Sequence, residues 1–126
     1  MLLHPIRSLA RRERCSTQAL SGGNQQKVVI GRVLDLAGKV YVFEDPTAGV
    51  DVGAKAEIYR LFDVALAAGA AIIIVSTDFE EIAKVCHRAL VFNHGRVVAE
   101  LGADALSLAN LLAAASASVT EQMGTE

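Results

Sequence analysis

Little in this chain is charged in excess. Its 12 basic and 14 acidic residues leave a formal net charge of −2. There is no global electrostatic drive towards nucleic acid or anionic lipid. Cysteine is sparse too: Cys15 and Cys86 are the two present, and they lack metal-ligand spacing. A single disulfide is possible by count, but two free thiols in a reducing compartment suit such usage better. The three histidines, His4, His87 and His94, are scattered and form no ligand set. No long hydrophobic run spans a membrane. The longest, Val64 to Val75, is broken by Gly69, bounded by Asp63 and too short to cross a bilayer. Internal repeats, low-complexity linkers and a secretory signal are all absent. The basic start, MLLHPIRSLARRERCS, has no apolar core. It reads as a solvated helix or the cut end of something larger, with an arginine-rich organelle presequence as the weaker alternative.

What is present is apolar. Hydrophobic residues make up 52% of the 126, and mean hydropathy is +0.38. That length supports one domain with a real core. Buried parallel strands, apolar on both faces, explain the excess. A helix is expected over Gln25 to Ala37, with Gly38 as its C-terminal cap. A buried strand follows at Val40 to Phe43. The apolar face Ile58, Leu61, Phe62, Ala65, Leu66 predicts a helix from Ala54 to Ala68, ended by Gly69. Ala71 to Val75 reads as a second strand. Thr77 to Val85 reads as a short helix, with Thr77 and Glu80 spaced as a capping box. Ala89 to Phe92 and Val97 to Leu101 flank Asn93-His94-Gly95-Arg96, a tight hairpin with Gly95 at positive φ. Leu106 to Ala115 closes the chain as a helix. Strands alternating with helices imply an α/β chain with parallel strands, crossover helices and a C-terminal β-hairpin. Ligands of such sheets sit beyond the carboxyl ends of the strands, here Glu44-Asp45 and Ser76-Thr77-Asp78.

LSGGNQQK, Leu20 to Lys27, places two glycines after a serine at the start of a helix. Backbone N–H groups stand clear there, and the helix dipole adds partial positive charge, which suits a phosphate. An ordinary serine cap with a flexible entry is the plainer reading. Ser76 has no histidine and acid near it in sequence, so a hydrolase triad is not indicated. Lys27 and Arg32 read as helix-surface charges. Arg7, Arg11, Arg12 and Arg14 read as a solvated face.

The segment LSGGNQQK resembles the signature motif of ATP-binding cassette (ABC) ATPases. Its Asn-Gln-Gln-Lys continuation looks like the carbohydrate-import branch, especially the second of that branch's two fused nucleotide-binding domains. VYVFEDPTAGVDVGAK is similar to the branch's Walker B strand and D-loop. IIIVSTDFEEI occupies the place of the switch region, and HGRVVAEL resembles the closing strand pair. The match covers Leu20 to Leu101, with four motifs in family order. It implies a partial P-loop NTPase-like domain over residues 20–103, preceded by an unassigned segment, 1–19, and followed by a terminal helix and tail, 104–126.

The resemblance also implies a mechanism. Two such domains close face to face on ATP, each site taking its signature motif from the other domain. Ser21, Gly22 and Gly23 would touch the γ-phosphate of ATP held by the partner domain, supported by Asn24 and Gln25. Asp51 would lie in the D-loop. ATP and Mg2+ are the implied cofactors. The implied partners are a second nucleotide-binding domain, membrane permease subunits and, indirectly, a sugar-binding protein, but no nucleic acid. The implied location is the cytoplasmic face of a bacterial-type plasma membrane.

Three departures stand against the family pattern. No stretch reads G-x-x-x-x-G-K-[ST], so the chain lacks a phosphate-cradling loop. The family's Asp-Glu at the end of the Walker B strand is reversed. Glu44 takes the position of the magnesium-holding acid and Asp45 that of the water-orienting, catalytic one. Each reach changes by one methylene, about 1 Å, and a misplacement of that order can cost about a hundredfold in rate. Pro46 is expected to hold Asp45 extended. Thr77 stands where many cassette ATPases carry a γ-phosphate-contacting histidine, whose charge and proton acceptance threonine cannot supply. These features imply a signature-donating ATPase segment whose own site is slow or dead. A non-catalytic relic or interaction module, or a nucleic-acid-linked cassette protein, are the alternatives.

Overall fold

The computed structural model describes residues 22–122, and the side chains of residues 22–117. Ser21, Cys15, His4 and the arginines Arg7, Arg11, Arg12 and Arg14 lie outside the described residues. The elements run α1 (Gly22–Leu34), β1 (Val40–Glu44), α2 (Val52–Ala67), β2 (Ala71–Val75), α3 (Phe79–Val85), β3 (Arg88–Asn93), β4 (Arg96–Gly102) and α4 (Leu108–Gln122). They divide into two compact units, one up to Val75 and one from Ser76 onward.

In the first unit β1 and β2 pair in parallel, with Val40 opposite Ala71 and Glu44 opposite Val75. The ladder runs one residue past the strand, where the Asp45 N–H donates to the Val75 carbonyl at 2.8 Å. Helix α2 is the crossover between these strands. Its apolar stripe meets that of α1 over one face of the sheet. Ile30, Ile58 and Phe62 form the buried centre, surrounded by Leu34, Phe43, Tyr59, Leu61, Ile72 and Ile74. The rings of Phe43 and Phe62 lie 5.0 Å apart, a favourable tilted contact.

Alternation along the strands decides what is covered. Tyr41, Phe43, Ile72 and Ile74 turn towards the helices, while Val40, Val42, Ile73 and Val75 are exposed on the other face. The expectation of strands buried on both faces is therefore corrected: among the described residues only one face has a cover. Glu44 shares the exposed face.

The end of α1 also differs from expectation. The helix begins at Gly22 and ends at Leu34, three residues earlier than its apolar spacing suggests at each end. Ala37, not Gly38, takes the positive φ, at 52°. Gly38 is needed for a different reason. A β-carbon there would come within 3.2 Å of the Tyr41 ring, and the Tyr41 hydroxyl donates to the Leu34 carbonyl at 3.1 Å. That bond joins the one from the Ala37 N–H, at 3.3 Å, on a carbonyl at the helix end.

In the second unit β3 and β4 form the expected antiparallel hairpin. His94 and Gly95 both have positive φ, 47° and 76°, the geometry of a type I′ turn. Val98 is the extra residue at a register shift opposite Val91 and Phe92. Helix α4 packs on this hairpin through buried Leu111, and the Asn93 side chain donates to the Ala115 carbonyl at 3.3 Å. The last helix starts at Leu108, not Leu106, with Ser107 before it accepting from the Asn110 N–H at its hydroxyl.

Candidate functional site

The first turn of α1 is built from the motif glycines. Gly22 is exposed and a β-carbon on it would meet no heavy atom within 4 Å, whereas Gly23 is buried. Asn24 is half-buried and Gln25 exposed. Behind them Gln26 reaches back across the unit, its amide donating to the Pro46 carbonyl at 3.0 Å. Lys27 forms an ion pair with Glu57 of α2, and its side chain is only 14% exposed. Lys27 is thus not a free surface charge. It ties α1 to α2. Gln26 and the Lys27–Glu57 pair went unread in the sequence because their partners lie 20 and 30 residues away.

The end of β1 carries the two carboxylates, both exposed. Asp45 has φ of 44°, so it is left-handed and not extended. The reason is the turn that follows. The Asp45 carbonyl must accept from the Ala48 N–H, at 3.1 Å, while its own N–H stays bonded to Val75. Aspartate tolerates that backbone better than most residues. Pro46 and Thr47 beyond it are buried, so the turn is anchored from beneath. The two acids leave the strand on different paths, Glu44 on the exposed sheet face and Asp45 within the turn.

Asp51 ends this loop as the N-cap of α2. Its carboxylate accepts from the Ala54 N–H at 2.8 Å. Ser21 lies outside the described residues. Ser21 apart, the motif helix, the carboxylate turn and Asp51 all belong to one unit, joined by the Gln26–Pro46 bond and the α1–α2 packing.

Thr77 belongs to the second unit. The capping box assigned to it is corrected: the N-cap of α3 is Asp78, which accepts from the Glu81 N–H at 3.0 Å. The Asp78 N–H is itself bonded to the Ser76 hydroxyl, whose proton points to the buried Glu81 carboxylate at 3.3 Å. This local network shifts the helix start by one residue and leaves Thr77 exposed. Cys86, at the far end of α3, is free and half-buried. Burial, and secondarily the Glu81 charge, push its thiol above its ordinary range.

The donor sets fit the groups that the resemblance implies. Hard carboxylate oxygens suit magnesium, which takes one or two from protein and the rest from water and phosphate. No cluster of three or more metal-binding side chains occurs among the described residues. The open backbone at Gly22 suits an anion approaching a helix start.

No protein-family model matches the chain. It is 48% identical over 98 residues to the ribose import ATP-binding protein RbsA 1 of Streptomyces avermitilis, a match covering 78% of this chain and 19% of that protein. It is 50% identical over 97 residues to the ribose import ATP-binding protein RbsA of Cereibacter sphaeroides, covering 77% and 19%. Among solved structures, the ADP conformation of an ATP-binding cassette of an ABC transporter superposes with a TM-score of 0.71 at 23% identity, over 98% of this chain and 49% of that one. Over most of its length the chain has ribose import ATP-binding proteins as homologues, and its fold neighbours are ABC ATPases. A nucleotide-free cassette from an ABC transporter gives the same TM-score at 24% identity. Both structural likenesses concern the cassette fold, which agrees with the α/β reading. The ABC relatives are much longer than this chain, which spans 19% of each of the two ribose-import proteins. Among its described residues no helix is long and apolar enough to cross a membrane.

Proposed function

We propose that this chain is the signature-bearing part of the ATP-binding subunit of a sugar importer, taken from the C-terminal region of its second nucleotide-binding domain. The observation that carries the reading is the folding of GGNQQK, Gly22 to Lys27: it opens a helix at a glycine on which a β-carbon would meet no heavy atom within 4 Å. Similarity near one half to ribose-import ATP-binding proteins supports the sugar class.

In this reading Ser21, Gly22 and Gly23 face the γ-phosphate of ATP held by a second nucleotide-binding domain. Asn24 and Gln25 support that contact, and Asp51 lies at the domain interface. The chain works at the cytoplasmic membrane face against permease subunits that a sugar-binding protein supplies. Its own carboxylate pair is degenerate. Magnesium, when bound, would neutralise charge on the phosphates, with Glu44 as its protein ligand and Asp45 orienting water. Asp45 sits in a left-handed turn with its backbone bonded on both sides, so it has little freedom to make good its shorter reach. Thr77 supplies no charge at the switch position.

The test places this segment in a complete sugar-import ATPase in place of the matching stretch. Ser21→Arg should abolish most sugar-stimulated hydrolysis, since a bulky cation would fill the phosphate approach. Unimpaired hydrolysis would sink the proposal. Restoring the usual order with Glu44→Asp and Asp45→Glu together should raise turnover by one to two orders of magnitude at the site this chain builds, about the cost of a 1 Å misplacement. An unchanged rate counts against the degenerate-site part alone.

A further inference from the structure

The turn after β1 disposes of its carbonyls in two ways. Those of Asp45 and Thr47 are used within the loop, accepting from the Ala48 N–H at 3.1 Å and the Val50 N–H at 3.3 Å. The Pro46 carbonyl between them accepts instead from another element, the Gln26 side-chain amide of α1, at 3.0 Å. Pro46 is buried, and proline has no N–H of its own to fix it in place. A carbonyl at such a position is costly to leave unpaired. Asp45 just before it holds a left-handed backbone, φ 44°, which non-glycine residues keep only where their surroundings hold them there. Gln26 is half-buried and lies on the helix that the motif glycines open, one residue past Gln25. One side chain of α1 therefore pins the backbone one residue beyond Asp45.

We propose that Gln26 is a positioning residue: it ties the signature helix to the turn that carries Asp45, so that the motif offered to a partner domain and the chain's own carboxylate keep one spacing. The tether needs no nucleotide, but its bearing on hydrolysis rests on the function proposed above. The Pro46 carbonyl requires a donor, which the glutamine amide supplies at any pH. A glutamate of similar length donates only when protonated, and methionine not at all. The charged residues adjoining the contact in sequence are Lys27, which is paired with Glu57, and Glu44 and Asp45. Glu44 lies on the sheet face away from α1. Asp45 would oppose a carboxylate at position 26 by like charge, and an Asp45→Asn variant separates that repulsion from the loss of the donor.

Thermal melts of the full chain test the tether. Gln26→Met keeps the length and removes the donor, and it should lower the midpoint by roughly 4–8 °C at every pH. In Gln26→Glu the new carboxyl gains its partner only when protonated, so folding raises its pKa. That variant should melt near the parent at about pH 4 and fall to the Gln26→Met midpoint as pH rises past the ordinary glutamate range. In an Asp45→Asn background the same pH dependence should persist. A Gln26→Met midpoint equal to the parent's overturns the inference, as does a Gln26→Glu deficit that ignores pH or a pH dependence that vanishes with the Asp45 charge. If Gln26→Glu is unfolded at neutral pH, recovery on acidification supports the inference and its absence overturns it. A second readout separates positioning from bulk stability: ATP hydrolysis by the hybrid importer ATPase, measured below every melting midpoint. Gln26→Met should lower kcat about tenfold, part of the cost of a 1 Å misplacement. The KM for ATP should change less than about twofold, since Gln26 turns to Pro46 and not to the phosphate. An unchanged kcat, or a rise in KM alone, overturns the positioning role. If Ser21→Arg is harmless while the pH-dependent melt holds, the sugar-import reading fails and the Gln26–Pro46 tether stands.

Discussion

Asp45, Asp51 and Cys86 each take their character from a single neighbour or two. Asp45 bends because Val75 holds its N–H and Ala48 its carbonyl. Asp51 is exposed yet committed, since its carboxylate caps α2. Cys86 is disfavoured as a thiolate by burial first and by Glu81 second. The sign follows: a raised pKa leaves less thiolate at neutral pH, so alkylation should set in only above the ordinary thiol range. In a Cys15→Ser background the rate of iodoacetamide labelling should reach half its plateau at a higher pH than for a cysteine peptide. Glu81→Gln should move that midpoint down part of the way, because burial remains. A midpoint at or below the peptide's would contradict the assignment. The Glu44-Asp45 pair was legible as a candidate from its place after an apolar strand, and Asp51 only through the resemblance of its segment to a D-loop. The left-handed turn at Asp45 was not. A proline after a residue argues for extension, and only the bond from Ala48 reverses that preference.

At the scale of elements, the ends of helices were the hardest to read. The apolar spacing in α1 identifies its core-facing residues, Ile30 and Leu34 among them, but not where the hydrogen bonding stops. Glycine at position 38 suggested the usual left-handed cap, and Ala37 adopts that conformation instead. An alanine there carries a steric cost that glycine does not, of about 1–2 kcal/mol. Ala37→Gly should therefore stabilise the chain, by up to about 1 kcal/mol after the unfolded chain's gain in freedom is set against it. Gly38→Ala should destabilise it by crowding the Tyr41 ring. Chemical denaturation of both variants checks the pair, and a stabilising Gly38→Ala would refute this account of the helix end. The β3–β4 hairpin shows the opposite case. Asn93-His94-Gly95-Arg96 names its turn because the signal is local, with every participant within four residues.

For the whole chain, the open question of solubility lies in the first unit. Val40, Val42, Ile73 and Val75 are 59%, 63%, 51% and 52% exposed on one face of the two-stranded sheet. Apolar faces of this kind promote association. The 126-residue polypeptide should self-associate as its concentration rises. Val42→Thr with Ile73→Thr should reduce that association while leaving the unfolding midpoint within about 0.5 kcal/mol of the parent, as exposed substitutions usually do. Sedimentation velocity across a concentration series tests this. A monomeric parent would show that the face is covered in solution.

The sequence by itself determined which stretches become strands and helices, where the hairpin turns, and which motifs stand in family order. Those properties depend on neighbours within a few residues, and local sterics and periodicity are enough to specify them. The tertiary structure alone decided that one sheet face is open among the described residues, that Lys27 is paired with Glu57, that Gln26 holds the Pro46 carbonyl and that Gly23 faces Ala54. Each of these depends on atoms brought together from twenty or more residues apart, and no local preference encodes which distant side chain will arrive.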